Sequence, residues 1–68
     1  LGRELLKFMI GLAREFMAYK IYLEVRPSNL AGRALYAGAG FREIATRRDY
    51  YPGPGGREDA VVMELVLE

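Results

Sequence analysis

Apolar residues recur at helical spacing in the first part of the chain. Two adjoining rows, whose members lie three or four positions apart, consist of Leu5, Met9, Leu12 and Phe16, and of Leu6, Ile10, Ala13 and Met17. Such spacing is typical of one face of an amphipathic helix, and it predicts a helix over residues 3–18. We expect both rows, including Met9, Phe16 and Met17, to pack in the core.

A strand and a second helix are predicted next. Residues 20–26 alternate, with one face formed by Ile21, Leu23 and Val25 and the other by Tyr22, Glu24 and Arg26. Pro27 ends this strand because proline has no backbone N–H to donate to a sheet. Ser28 or Asn29 is then expected to cap a helix over residues 30–37, since both side chains accept hydrogen bonds from first-turn amides.

The last part of the chain predicts a hairpin. Residues 41–50 carry β-favouring side chains, and residues 60–67 form an apolar run. Between them the stretch PGPGG, residues 52–56, predicts a loop. The order helix, strand, helix, strand, strand predicts an α+β fold with a mixed sheet.

Composition narrows the classes of function. The chain has 68 residues, with 10 Lys and Arg against 9 Asp and Glu and a net charge of +1. Nucleic-acid-binding domains are usually strongly basic, so we expect no direct contact with nucleic acid. No apolar run reaches the roughly 20 residues that span a bilayer, so we expect no membrane association.

The chain contains neither Cys nor His. This composition excludes disulfides, thiolate zinc sites, Cys nucleophiles and catalytic triads that need His, and we expect no metal. The absence of Cys also fits a reducing compartment, so we expect a cytoplasmic protein.

Glu24 is an unusual residue for its position. Acidic residues are depleted in strands, and burial raises the pKa of a carboxyl group towards the range in which it acts as a general base. Two other interpretations remain open: a solvated strand face, or an ion pair with Arg26 two residues further on.

Several stretches taken together resemble a known family. They are YLEVRPSN (22–29), ALY (34–36), GF (40–41), RRDYYP (47–52) and EDAVVM (58–63). The chain resembles the C-terminal half of a GNAT N-acetyltransferase, and in particular the ribosomal-protein-alanine N-acetyltransferases, the RimI-like branch. The resemblance runs from residue 1 to residue 67. It implies that residues 1–68 are a partial acyl-CoA N-acyltransferase domain that lacks the N-terminal strands and helices, so we expect a truncated chain.

The resemblance also implies a reaction. It is transfer of acetyl from acetyl-CoA to a protein N-terminal α-amine, for example that of a ribosomal protein. Glu24 matches the family's general base, and Tyr36 matches the general acid that protonates the sulfur of coenzyme A. Without the resemblance, Tyr36 is a half-buried core aromatic.

Binding residues are implied in the same way. Leu1, Gly2 and Arg3 match the end of the loop that holds the coenzyme A pyrophosphate, where free helix amides attract anions. Asn29 matches a residue that contacts the pantetheine arm, a role that can coexist with capping. Without the family, Gly2 is a flexible terminus.

The hairpin carries the remaining candidates. Tyr50 and Tyr51 match residues that contact the peptide substrate, although an aromatic pair that closes a hairpin is an equal alternative. We expect Arg47-Arg48 to be a solvated strand pair, and Glu58-Asp59 to serve turn geometry with little chemical role.

Two other functions stay open at this point. One is a catalytically inactive half-domain that pairs with itself, through an exposed sheet edge, or with a missing segment. The other is a GNAT acetyltransferase that acts on a small amine or a lysine. The RRDYYP and EDAVVM stretches favour the N-terminal amine over this last alternative, by resemblance only.

Overall fold

The computed structural model describes residues 2–53 and 55–67. Its elements, in chain order, are α1 Arg3–Glu15, β1 Lys20–Val25, α2 Leu30–Gly38, β2 Arg42–Gly53 and β3 Gly56–Val66. The predicted α+β class and the order of the elements are confirmed. Neither described helix is long and apolar enough to cross a membrane.

Helix α1 ends earlier than its apolar pattern suggests, at Glu15 instead of Ala18. Met17 takes a left-handed conformation, with φ of 62°. Its N–H donates to the Arg14 carbonyl, and the Ala18 N–H donates to the Ala13 carbonyl. These two bonds form a Schellman motif, which usually has Gly at the left-handed position. Because Met stands there, the sequence carries no visible stop signal.

The sheet has the order β1-β3-β2, so the last strand lies between the other two. Both pairings are antiparallel, with Leu23 opposite Met63 on one side and Thr46 opposite Val61 on the other. The prediction of a mixed sheet is therefore wrong for the three described strands. Strands β1 and β2 do run parallel to each other, but β3 separates them.

The hairpin is longer than predicted. Strand β2 continues through Pro52 to Gly53, and β3 begins at Gly56, so most of the predicted 52–56 loop belongs to the strands. Pro54 lies outside the described residues. Proline is tolerated in β2 because β2 is an edge strand of this sheet. One side of an edge strand has no neighbouring strand, so a missing N–H on that side costs no hydrogen bond between strands.

The core lies between the helices and one face of the sheet. Its buried members are Leu6, Val25, Phe41, Val61, Met63, Leu65 and Leu67. Half-buried residues of α1, β1 and α2 pack around them, including Ile10, Leu23 and Tyr36. Burial of these side chains is the main favourable contribution to folding.

Only one of the two apolar rows of α1 joins this core, and it does so without its last member, Met17. Leu6, Ile10 and Ala13 pack there, whereas Met9, Phe16 and Met17 are 50%, 80% and 85% exposed. The expectation that these three residues are core residues is wrong for the described structure. Three strands cover a single stripe of the helix, and periodicity does not reveal how wide the covering sheet is.

Candidate functional site

Glu24 is the last residue but one of β1 and lies on the face opposite Leu23 and Val25. Its side chain is 25% exposed, and its Oε2 atom accepts a hydrogen bond of 2.8 Å from Nη1 of Arg47. Arg47 belongs to β2, so this ion pair passes over the central strand β3. Arg26, the partner that sequence proximity suggested, is not the partner of Glu24 in the structure.

Arg47 lies in β2 with its side chain 56% exposed, so the prediction of a solvated strand residue is confirmed, but its contacts were not predicted. Besides pairing with Glu24, its guanidinium lies 4.2 Å from the centre of the Tyr50 ring. The hydrogen bond to Glu24 and the charge of that carboxylate raise the pKa of Arg47 above its ordinary value. Tyr50 in turn meets Tyr51 edge to face, with ring centres 5.0 Å apart. Arg47 thus connects the candidate base to the candidate substrate-binding pair.

Tyr36 lies on α2 and is half-buried. Its ring meets Phe41 edge to face at 5.8 Å, which fits the interpretation of Tyr36 as a core aromatic. It also borders two cavities: one of about 360 Å³, shared with Tyr22 and Leu23, and one of about 220 Å³, shared with Asn29. Tyr36 therefore packs in the core and also borders cavities, so its position is compatible with both interpretations.

Glu24 and Tyr36 do not line the same cavity. Glu24 borders a cavity of about 300 Å³ together with Tyr22, Leu23 and Val62. Tyr22 and Leu23 also border the cavity of Tyr36. The two candidate catalytic residues are therefore on adjoining cavities that share part of their wall.

Asn29 is the N-cap of α2. Of the two predicted caps, Ser28 and Asn29, the structure has the second. Its Oδ1 atom accepts a hydrogen bond of 2.9 Å from the Gly32 N–H. A Cβ atom at Gly32 would lie 2.6 Å from Asn29 Nδ2. A side chain at position 32 would therefore force the capping side chain of Asn29 to shift.

The start of α1 faces the end of α2. Gly2 precedes the helix in an extended conformation, and its carbonyl accepts from the Leu6 N–H. Arg3 and Lys7 line a cavity of about 470 Å³ with Leu35, Gly38 and Ala39 among its other walls. Two cations and a helix N-terminus favour an anion in this groove. Leu1, the other predicted member, lies outside the described residues.

Glu58 makes a contact with Ser28 that was not predicted from the sequence. Its Oε1 atom accepts hydrogen bonds from the Ser28 hydroxyl at 2.6 Å and from the Ser28 N–H at 3.2 Å. Asp59 accepts from the Asp49 N–H at 3.0 Å. The pair therefore holds the hairpin in shape, and Glu58 also joins it to the turn after β1. No local pattern signals this contact, because Ser28 and Glu58 are far apart in the chain.

Comparison with known proteins identifies relatives of this chain. A model of the Acetyltransferase (GNAT) family matches residues 1–41. The ribosomal protein bS18-alanine N-acetyltransferase of Escherichia coli K12 is 48% identical over 67 residues, which are 98% of this chain and 45% of that protein. The chain thus spans less than half the length of this curated relative.

Solved structures share the same arrangement. The ribosomal-protein-S18-alanine N-acetyltransferase from Escherichia coli matches with a TM-score of 0.90 and 44% identity, over 97% of this chain and 43% of that one. A chain of the NatC complex bound to Gag peptide and CoA matches with a TM-score of 0.89 and 27% identity, over 97% of this chain and 40% of that one. The two helices and three strands described above thus recur within longer chains.

The Asn29 cap leads to a first prediction. Replacing Gly by Ala inside a helix normally stabilises it by about 1 kcal/mol. At Gly32 the new Cβ would displace the capping side chain, whose loss costs about 1 kcal/mol. We expect Gly32→Ala to give no gain, or a loss, in the free energy of unfolding measured by denaturant titration. Gly11→Ala is the control, since nothing lies within 4 Å of that position, and it should stabilise the chain. Equal gains in both variants would contradict the steric account.

The contacts of Glu58 lead to a pH prediction. Hydrogen bonds from the Ser28 side chain and backbone, and the charge of Arg26, lower the pKa of Glu58 below its ordinary value of 4.5. The folded state therefore binds this proton more weakly than the unfolded state does. The resulting stabilisation is complete above pH 4.5 and is lost as the pH falls through the folded-state pKa. Glu58→Gln and Ser28→Ala should both flatten the acid side of the curve of unfolding free energy against pH. An unchanged slope in both would show that the depressed pKa is absent.

Proposed function

The chain belongs to the GNAT acetyltransferase family, and from this premise we propose that its protein transfers acetyl from acetyl-CoA to a protein N-terminal α-amine. Glu24 is the proposed general base and Tyr36 the proposed general acid. The observation that carries the proposal is the contact of 2.8 Å between Glu24 and the cationic Arg47, on a sheet face beside a cavity. Arg47 holds the Glu24 carboxylate in one orientation beside this cavity, where it is placed to take a proton from a substrate ammonium.

The substrate nitrogen loses two protons, one before it attacks and one to solvent from the tetrahedral intermediate as the amide forms, and the sulfur of coenzyme A gains one. Acetyl-CoA supplies an acetyl thioester, whose carbonyl carbon reacts only with an uncharged amine. Glu24 accepts the proton that the substrate ammonium loses, directly or through a water molecule. Tyr36 donates its phenolic proton to the sulfur as the carbon–sulfur bond breaks. Because the two residues border adjoining cavities, the acetyl group would lie near their shared wall at Tyr22 and Leu23.

The cavity lining indicates where coenzyme A would bind. The groove lined by Arg3 and Lys7 at the start of α1 suits the negatively charged pyrophosphate, with Gly2 beside it. The pantetheine arm would then lie along α2 against Tyr36 and Asn29, which share the cavity of about 220 Å³. Since Asn29 uses Oδ1 for the cap, its contact with pantetheine would use the Nδ2 donor.

The proposed substrate is a protein N-terminus. The curated Escherichia coli relative is named for the alanine of ribosomal protein bS18, and the NatC structure contains a peptide together with CoA. Tyr50 and Tyr51 are the proposed peptide contacts, since Tyr50 also stacks on the partner of Glu24. A small first residue such as Ala and a cytoplasmic location are parts of the same proposal. Two alternative predictions stay open. One is action on a small amine or a lysine, and the other is an inactive half-domain that pairs with itself or with a missing segment.

A single substitution tests the general base. In the full-length protein, Glu24→Gln should lower turnover by about 100-fold, the usual contribution of a positioned base, without weakening acetyl-CoA binding. The reason is that the amide keeps the shape of the side chain but does not accept the proton. Turnover is measured by coenzyme A release, and acetyl-CoA affinity by calorimetry.

The matched control is Glu64→Gln. Glu64 is also a carboxylate in the sheet, and it pairs with Lys20 at 3.5 Å. Its replacement should leave turnover unchanged. If Glu24→Gln stayed within about threefold of wild-type turnover, the general-base assignment would be wrong.

A further inference from the structure

The tip of the hairpin is separated from the regular part of the sheet by a bulge. Arg47 pairs with Ala60 and Tyr51 with Glu58, so residues 48–50 lie opposite Asp59 alone. Asp49 has a positive φ of 54° there. A bulge bends and twists the strand that contains it. The pairing of β2 with β3 before the bulge therefore does not by itself fix the direction in which the tip of the hairpin points.

Contacts across the chain hold the tip instead. They come from the turn between β1 and α2, and we name the group of Arg26, Ser28 and Glu58 the hairpin latch. Ser28 gives Glu58 two hydrogen bonds, at 2.6 and 3.2 Å, and Arg26 Nη1 lies 3.6 Å from the other Glu58 oxygen. Arg26 also donates to the Pro52 carbonyl at 3.1 Å, and its guanidinium lies 4.4 Å from the centre of the Tyr51 ring.

The hairpin latch is continuous with the proposed site. Successive contacts run from Glu58 through Arg26, Tyr51, Tyr50 and Arg47 to Glu24. The position of the tip therefore decides where both tyrosine rings lie relative to the candidate base. In contrast, the other exposed ion pair between these elements, Arg33 with Glu43 at 2.7 Å, contacts β2 before the bulge.

We propose that the hairpin latch is a positioning device for the substrate: it holds Tyr51, and through it Tyr50, where a peptide N-terminus binds. The inference rests on the proposed function. Glu58 acts here through the tyrosines and does not touch the reacting atoms. Its loss should weaken peptide binding more than acetyl-CoA binding, since the coenzyme groove lies between α1 and α2.

The test uses Glu58→Gln and Ser28→Ala in the full-length protein. Hydrogen exchange of residues 48–59 reports the mobility of the tip, and fluorescence anisotropy of a labelled peptide with N-terminal Ala reports its Kd. We expect faster exchange in that segment and a rise in peptide Kd of about three- to tenfold, the effect of losing a hydrogen bond to a charged group. The acetyl-CoA Kd should stay within about twofold of wild type.

Two further variants control for general loss of structure. Ser28→Thr keeps the hydroxyl, so exchange protection and peptide affinity should both stay at the wild-type level. Glu43→Gln removes an exposed ion pair of the same kind and should change neither. Unchanged exchange of the tip in both latch variants would overturn the inference. Faster exchange with unchanged peptide Kd would also overturn it, because the latch would then be structural only.

The readouts separate this inference from the proposed reaction. Peptide Kd needs no turnover, so the latch can be judged even if Glu24→Gln shows the general-base assignment to be wrong. A wild-type protein that binds no N-terminal peptide would overturn the positioning role. A latch variant with raised peptide Kd but wild-type turnover at saturating peptide would support it.

Discussion

The insertion of β3 between β1 and β2 is the constraint on which the rest of the structure depends. This strand pairs on both sides, and on one face it supplies Val61, Met63 and Leu65 to the core. On its other face, Val62 lies opposite Glu24 and Ala60 lies opposite Arg47. Because the side chains of Val62 and Ala60 are short, the Glu24 carboxylate on one edge strand reaches the Arg47 guanidinium on the other. The charged part of the candidate site thus follows directly from the strand order.

The charged side chains join segments that are distant in the chain. Arg26 with Glu58, Arg33 with Glu43 and Arg47 with Glu24 each join β1 or α2, or the turn between them, to the hairpin. Exposed ion pairs of this kind contribute little to the free energy of unfolding. Their effect is on geometry, since they fix how the long hairpin lies over the turn that carries the cap of α2. With Lys20, which pairs with Glu64, four basic residues are engaged in ion pairs within the part of the chain that the structure describes.

Local features were predictable from the sequence, and features that depend on strand order were not. The Asn29 cap and the start of α2 were predictable because the amide and its partner Gly32 are three residues apart. The end of α1 was not, since Met17 adopts the conformation that Gly usually takes. For Glu24, sequence proximity offered an ion pair with Arg26 only as one open alternative, whereas the strand order brings Arg47 to it. Likewise, the apolar rows of α1 predicted a helix but did not show which row the sheet covers.

The residues alone leave open whether Glu24 and Tyr36 act together, and the proposal that they act in one reaction rests on the resemblance. The most direct measurement is the location of the acetyl group after the full-length protein is incubated with acetyl-CoA and a peptide. The peptide should begin with Ala and contain an internal lysine, and fragmentation mass spectrometry should identify the modified nitrogen. The account predicts acetyl on the α-amine of Ala and none on the lysine. Acetyl on the lysine side chain, or on neither amine, would contradict it.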